Sequence, residues 1–500
     1  MITGFVKEQK RYTRDELRTI LSSTEKACSE SDLIRIIKRL KCYGVLKCVK
    51  WNELQLNLTD LAEEDIEVVD EDSIQGRYFY VFSFVGIIII ESRILKCYPK
   101  YIKMNKSPTR ELRQVINVLR KYDSAKQTVR MYNYEGYSSN FNRLSVIMFL
   151  LQDYYDNGVY TNEEDSIEVN GMGEINWDNT INSTFPVIID NKPYYFELKT
   201  MRRVKDSENY FKRLHECILT MCVNELKRCD LISLLDLEEI CLSNEILENF
   251  GDDEYIVQSI ENELGIQFNT RKQTVLKALQ SIIINKGTLD DENSFSLFGT
   301  NKFNLVWQKV CEEVFDNRLY TQLKNLGLKT IVIPEGALYN VDSKLIDIIE
   351  KPQWCGISNN KEFSKTALKT LVPDLVSIYK QEKELFFVIF DAKYYSIQLE
   401  ADKTLCGQPG VSDITKQYLY QLSFKEFFKF NGINRVMNCF LMPTENKAGN
   451  MLIEKGFVKM DMLHGLGLQN IRVILLCASV VYSYYLSNRT LCSEIPKMFV

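Results

Sequence analysis

The stretch PDLVSIYKQEKELFFVIFDAKYY, residues 373–395, decides how the C-terminal part of this chain is read. Leu385 to Phe390 are consecutive apolar residues, the pattern of a strand buried on both faces, yet the run ends in Asp391-Ala392-Lys393. Side chains alternate along a strand, so Asp391 and Lys393 project from one face and Ala392 from the other. A tight turn at Glu382-Lys383 folds the preceding segment back and sets Asp374 directly opposite Asp391. Two opposed carboxylates and an ammonium are the groups that metal-assisted phosphodiester hydrolysis uses. The carboxylates hold Mg²⁺, and the lysine orients the attacking water and offsets developing charge. Like charges this close raise a carboxyl pKa when no metal lies between them.

Acid-x-Lys by itself carries little information, because it recurs at Glu8/Lys10, Glu197/Lys199, Glu225/Lys227, Asp342/Lys344, Asp391/Lys393 and Glu445/Lys447. Strand geometry separates them. In the rival FPVIIDNKPYYFELKT (185–200), a turn at Asn191-Lys192 sets Pro186 opposite Glu197, so no second carboxylate faces it. Asp374, Asp391 and Lys393 are therefore the candidate site, a hypothesis for geometry to examine.

The length of 500 residues suggests about three domains, and the 45% hydrophobic and 26% charged fractions are those of a globular chain. With 62 basic and 67 acidic residues the net charge is −5, so any site for a polyanion must be local. Fourteen cysteines without a C-x-x-C pair read as reduced, mostly buried thiols of a cytoplasmic protein. Two histidines exclude a multi-histidine zinc site. Metal binding is left to carboxylates, which favour a hard cation such as Mg²⁺. The N-terminus lacks the apolar core of a signal peptide, and the runs 81–90 and 473–486 fall short of a membrane span. The expectation is a soluble protein without a membrane partner.

Along the chain, YTRDELRTIL carries a capping-box signature at Thr13 and Glu16. The next segment, SDLIRIIKRLKCYG, is capped by Ser31 or Asp32, places Leu33, Ile36, Ile37 and Leu40 on one face, and stops at Gly44 before VLKCVKW. Helix, helix and short strand resemble a winged helix; the alternative is a helical module with a solvated basic face of Arg35, Lys38, Arg39 and Lys41. An acidic linker (Glu63 to Asp72) precedes RYFYVFSFVGIIIIESRILKCYPKYI (77–102), two β-rich segments about Glu91-Ser92. This run exceeds what a hairpin buries alone and is the expected docking surface for a partner. Arg93, Lys96, Lys100, Lys103, Lys106 and Arg110, with Met201-Arg202-Arg203, are candidate contacts to DNA backbone. Residues 110–157 read as helical, 173–200 as strands and 206–286 as helical. KGTLDDENSFSLFGTNK (286–302) is the linker candidate, followed by a helix over 303–318, strands, a helix over 413–430 and a final strand and helix. The fold class is α+β and multidomain: residues 1–75 a module resembling a winged helix, 76–290 a small β-sheet and then a helical middle region, and 291–500 an α/β domain that carries the candidate site, of which a fragment of residues 295–500 is expected to fold.

Pro373-Asp374, Asp391-x-Lys393 ending an apolar strand, and a helix beginning GVSDITKQYLYQLSF (410–424) resemble a PD-(D/E)XK restriction-endonuclease-like core. FVGIIIIESRILKCYPKYI is similar to the strand motif ending in Pro-Lys of McrC-type restriction subunits. GEINWDNTI (173–181), with DITKQYLYQL, resembles the LlaJI family of restriction endonucleases. What the resemblance implies is a Mg²⁺-dependent DNA endonuclease subunit of a restriction, anti-phage system. It implies Asp374 and Asp391 as metal ligands, Lys393 as catalytic, and Gln417 with Gln421 at the glutamine position of the helix after the core. There an amide can hold the lysine or the scissile phosphate; exposed helix glutamines are the alternative. It places an upstream acidic ligand in FNLVWQKVCEEVF (303–315), where Gln308 stands in place of the expected glutamate and Glu312 is the remaining choice. It also implies double-stranded DNA as substrate and a separate McrB-like AAA+ GTPase that drives translocation, since this sequence holds no G-x-x-x-x-G-K-[ST] loop. The other readings are a stand-alone repair or mobile-element nuclease, a non-catalytic winged-helix DNA-binding protein, and a subunit that only stimulates its partner.

Overall fold

The computed structural model describes residues 1–23, 27–50, 78–103, 107–124, 141–161, 163–205, 210–358, 361–381, 384–445 and 451–491. The chain is α+β and packs as two compact units, one of residues 1–128, 234–236 and 298–500, the other of 129–233 and 237–297. The acidic linker 63–72, Lys106 and the turn residues Glu382-Lys383 lie outside the described residues, as do 51–75 of the N-terminal module. No described helix is long and apolar enough to cross a membrane.

In the first unit, strand Ile2–Lys7 runs parallel to Arg93–Tyr98, which pairs antiparallel with Val85–Ile90. The hairpin turns at Glu91-Ser92 (φ 50° and 61°), the geometry of a type I′ turn. Beneath it the buried Glu91 carboxylate accepts from Arg35 Nε (2.9 Å) and Nη2 (2.8 Å), so part of the expected solvated basic face is committed internally. The helix bearing Arg35, Glu30–Cys42, buries Leu33, Ile36, Ile37 and Leu40 as its periodicity requires. Its cap is Ser29, not Ser31 or Asp32: Ser29 has extended backbone and its side chain accepts from the Asp32 amide. Helix Arg14–Ile20 carries the capping box at Thr13 and Glu16. A small sheet orders Arg11–Tyr12, Tyr78–Phe82 and Leu46–Lys50 beside these helices.

Residues 78–102 are interior. Val81, Ile87 to Ile90, Ile94 and Cys97 are fully buried, so this segment is core and not a free docking surface. The basic stretch is likewise divided: Arg93 is buried with its Nε donating to Leu21 O (3.0 Å), and buried Lys100 donates to Gln9 Oε1 (2.8 Å).

The C-terminal part of this unit is a five-stranded mixed sheet in the order Leu375–Gln381, Glu384–Ala392, Arg435–Thr444, Ile471–Cys477, Leu452–Val458. The first two strands are an antiparallel hairpin, with Leu375 opposite Phe390 and Gln381 opposite Glu384. Glu384–Ala392 then runs parallel to Arg435–Thr444, and a parallel neighbour demands a crossover. Helices Val411–Ser423 and Lys425–Phe430 supply it. Phe387 and Ile389 pack under them with Tyr420, Phe424 and Phe427. Alternation sends Phe390 to the other face, where it meets Phe315 after helix Phe303–Val314. Buried on that helix, Trp307 donates its indole N–H to Leu441 O (3.1 Å). The helix stops at Val314, short of the expected 318.

In the second unit, helices Arg143–Asn157, Tyr210–Arg228, Asp253–Ile266 and Thr270–Ile284 bury an Arg143–Glu225 ion pair (2.8 Å). The segment 173–200 is not all strand, since Trp177–Ser183 is a helix capped by Asn176. Its hairpin turns at Asp190-Asn191 (φ 50° and 64°), not at Asn191-Lys192, pairing Lys192 with Ile189. Asp and Asn tolerate the left-handed backbone that both turn positions require, and lysine does so less readily.

Candidate active site

Continuing the hairpin register by one residue beyond the Leu375–Phe390 pair sets Asp374 opposite Asp391. The arrangement is held from several sides. Asp374 Oδ2 accepts the Ala392 amide (2.9 Å), tying the acid to the far strand. Asn317, just beyond helix Phe303–Val314, donates to Asp374 O (3.3 Å) and accepts from the amides of Val376 (3.1 Å) and Leu319 (3.0 Å). Asp391 shares the sheet face of Phe387 and Ile389, beneath the crossover helix. Burial, and then the charge of Asp374, push its carboxyl up to about 8.

Lys393 lies 3.1 Å from Asp391 Oδ2 and 2.9 Å from Asp413 Oδ1. Burial works against its charge, but the carboxylates of Asp391 and Asp413 outweigh that and raise its pKa. Asp413 stands in the first turn of helix Val411–Ser423 and engages the lysine whichever protonation state Asp391 adopts. Tyr420 faces the same acids: burial, then Asp391 and Asp374, push its hydroxyl up to about 12. Asn317, Asp413 and Tyr420 escaped the sequence reading. The sequence marks Asp413 only as an acid in the first turn of the helix that begins at GVSDITK.

Gln417 and Gln421 are both buried, which removes the exposed-helix alternative. Neither holds the lysine. Gln417 Nε2 donates to Ile389 O (3.0 Å), and Gln421 Oε1 accepts from Asn438 Nδ2 (2.7 Å) and the Gln469 amide (2.9 Å), so both amides fasten the helix to the sheet. Glu312 accepts from Gln308 Nε2 (3.2 Å) and lies 3.6 Å from Lys309, its carboxyl raised by burial. Among the described residues no group of three His, Cys, Asp or Glu side chains is placed to hold a metal ion. The decoy Glu197 stands outside the 187–194 hairpin and has no opposed carboxylate there. The donor set suits Mg²⁺ nonetheless, because that ion takes oxygen ligands and is often held by one or two carboxylates with several waters. The raised Asp391 pKa marks a carboxylate pair that a cation would relieve.

The chain is similar to the Bacillus subtilis type II restriction enzyme BsuMI component YdjA, with 27% identity over 429 residues, covering 83% of this chain and 82% of that protein. Among solved structures it is similar to a chain of the refined half-complex from the tetradecameric assembly of Thermococcus gammatolerans McrB AAA+ hexamers with bound McrC. That match has a TM-score of 0.36 and 11% identity over 97% of this chain and 99% of that one. A second, in the Thermococcus gammatolerans McrBC complex, has a TM-score of 0.25 and 14% identity over 62% and 86%. The model of the LlaJI restriction endonuclease family matches residues 84–329 and 336–480, spanning the hairpin of Val85–Ile90 and Arg93–Tyr98 and the acid pair, and the chain belongs to that family.

Proposed function

We propose that this chain is the Mg²⁺-dependent DNA endonuclease subunit of a restriction system, with a PD-(D/E)XK-type core in its C-terminal sheet, acting beside a separate McrB-like AAA+ GTPase. The observation that carries the reading is the opposition of Asp374 and Asp391 at the end of a buried hairpin, with Lys393 3.1 Å from Asp391. Asp374 and Asp391 would hold the ion, which when bound polarises a phosphate oxygen and lowers the pKa of a coordinated water. Lys393 keeps its charge through Asp413 and presents an ammonium at the same face, where it can orient the attacking water and offset charge growing on the phosphorane. The Ala392–Asp374 hydrogen bond joins the two strand ends, and Asn317 fixes the first of them through Asp374 O and the Val376 amide. Gln417 and Gln421 act at one remove by fixing the helix that presents Asp413. The partner is inferred from family membership and from the absence of a phosphate-binding loop in the sequence.

The test is plasmid cleavage with Mg²⁺ and the AAA+ subunit of the same system. Asp374→Asn, Asp391→Asn and Lys393→Ala should each lose cleavage while still assembling with the partner. Retained cleavage in any one of them would falsify that residue's place in the site, and retention in all three would move the activity elsewhere.

A further inference from the structure

We propose that the two-stranded ribbon Gln353–Ser358 and Lys361–Thr366 is a surface that seats on the backbone of double-stranded DNA; the inference rests on the nuclease reading above. The strands pair antiparallel from Gln353 opposite Thr366 to Ser358 opposite Lys361, and strand alternation sorts their side chains. One face carries Trp354, Lys365, Phe363 and Lys361. The ribbon's one acid, Glu362, falls on the other face with Ile357. The first face is preformed, because the Phe363 ring lies over Gly356, so close that an added Cβ would come within 2.8 Å of it. Lys365 Nζ stands 5.8 Å from the same ring centroid. Every residue of the two strands except Gly356 is exposed, Trp354 by 72%.

A two-stranded ribbon has no core of its own and is marginal in water, and aromatics grouped on one exposed face mark a contact surface. Charge selects the partner. The chain as a whole is acidic, and the basic stretch 93–110 is partly spent internally at Arg93 and Lys100. On the ribbon and its flanks, Lys351, Lys361, Lys365 and Lys369 are exposed and form no ion pair among the described residues. A face with two unpaired lysines, two aromatics and no acid complements a polyanion, and a two-stranded ribbon is narrow enough for the major groove. Reach agrees. Asp374 follows Thr366 by eight residues, a span of at most ~29 Å, less than the roughly 34 Å of one duplex turn. A duplex held at the acid pair therefore passes within one turn of the base of the ribbon.

The experiment is fluorescence anisotropy of the full chain on a duplex of about thirty base pairs, without Mg²⁺, from about 50 to about 200 mM KCl. Each phosphate neutralised adds about 0.9 to the slope of log affinity against log salt. Lys361→Ala/Lys365→Ala should therefore flatten the slope by about 1.8 while keeping the parental Tm. Trp354→Ala should weaken binding with the slope unchanged, since it removes contact area and no charge. Lys324→Ala, whose lysine is already paired with Asp342 (2.6 Å), should change neither. A parental slope in the double-lysine variant would overturn the inference and leave the nuclease reading standing. So would a parental slope with lost capture of the AAA+ subunit, which would reassign the ribbon to protein docking. A parent chain that binds no duplex at any salt would overturn both.

Discussion

Asp391 ends a run of apolar residues and is itself a buried carboxylate, 5% exposed. Its state can be followed in solution. In the metal-free protein the Asp391 carboxyl keeps its proton up to about pH 8, against an ordinary value of 3.8. The native chain therefore binds more protons than the unfolded one across that window. This contribution to stability is present below about pH 4 and is lost as pH rises through about 8. Thermal melts in EDTA should show the parent losing stability between those limits and Asp391→Asn losing less. The same variant should cut DNA at least about a hundredfold more slowly, since an ion that supplies several kcal/mol loses its ligand. Equal pH slopes in the two proteins would mean that Asp391 titrates normally. Asp413 has a different signature. Asp413→Asn leaves both proposed metal ligands in place but frees Lys393 from its second carboxylate, so kcat should drop about tenfold with KM for DNA unchanged. Partial recovery in Asp413→Glu would distinguish positioning of the lysine from damage to the helix. The acid pair and the lysine were legible in the sequence because strand alternation and a short turn fix which residues are neighbours. Asp413, Asn317 and Tyr420 were not, since each arrives from another element and its place depends on tertiary packing that no local pattern encodes.

At the scale of elements, two hairpins show how far a turn can be read. The 375–392 hairpin has the expected register because its long apolar strand leaves little freedom to slip. The 187–194 hairpin is exposed on both strands, so burial does not constrain it, and the φ > 0 requirement of its turn shifts the register to Asp190-Asn191. The glutamines of helix Val411–Ser423 carry the complementary lesson. Spacing marked them as a pair on one face, but whether that face meets water, lysine or sheet is decided by the crossover. Gln421→Ala would leave the buried Asn438 amide without its acceptor, and an unpaired buried donor costs on the order of 1–3 kcal/mol. Calorimetry should therefore show a lower Tm for Gln421→Ala, with the loss repeated in Asn438→Ala and not doubled in the double variant. Additive losses would mean that the two side chains do not act through one bond.

For the whole molecule, the division along the sequence and the division in space differ most where the N-terminal residues meet the candidate nuclease sheet. Residues 1–128 share one compact unit with 298–500. Glu8 is buried and accepts from the Lys100 amide (3.2 Å) and from the hydroxyl of Tyr394, the residue after Lys393. Tyr101 donates to the Tyr482 hydroxyl (3.2 Å), and helix Thr109–Ser124 lies against Ala478–Leu486 with Gln114 donating to Ser479 O (2.7 Å). A fragment of residues 295–500, expected from sequence to fold, would expose this face and leave the Tyr394 hydroxyl without its acceptor. Burial of apolar surface is worth about 25 cal/mol per Å², so losing a whole packed face outweighs the few kcal/mol that separate folded from unfolded domains. That fragment should be aggregated or show no cooperative melt. A chain in which 129–294 is replaced by a flexible linker should instead keep a cooperative transition. Within the first unit it loses the contacts of 234–236, such as Arg120 to Leu235 O (3.1 Å) and Asn117 to Asp236 (2.9 Å). Near-ultraviolet dichroism followed through thermal denaturation separates the cases, and a sharp transition in the 295–500 fragment alone would show that the N-terminal residues are dispensable for the sheet that carries Asp374 and Asp391.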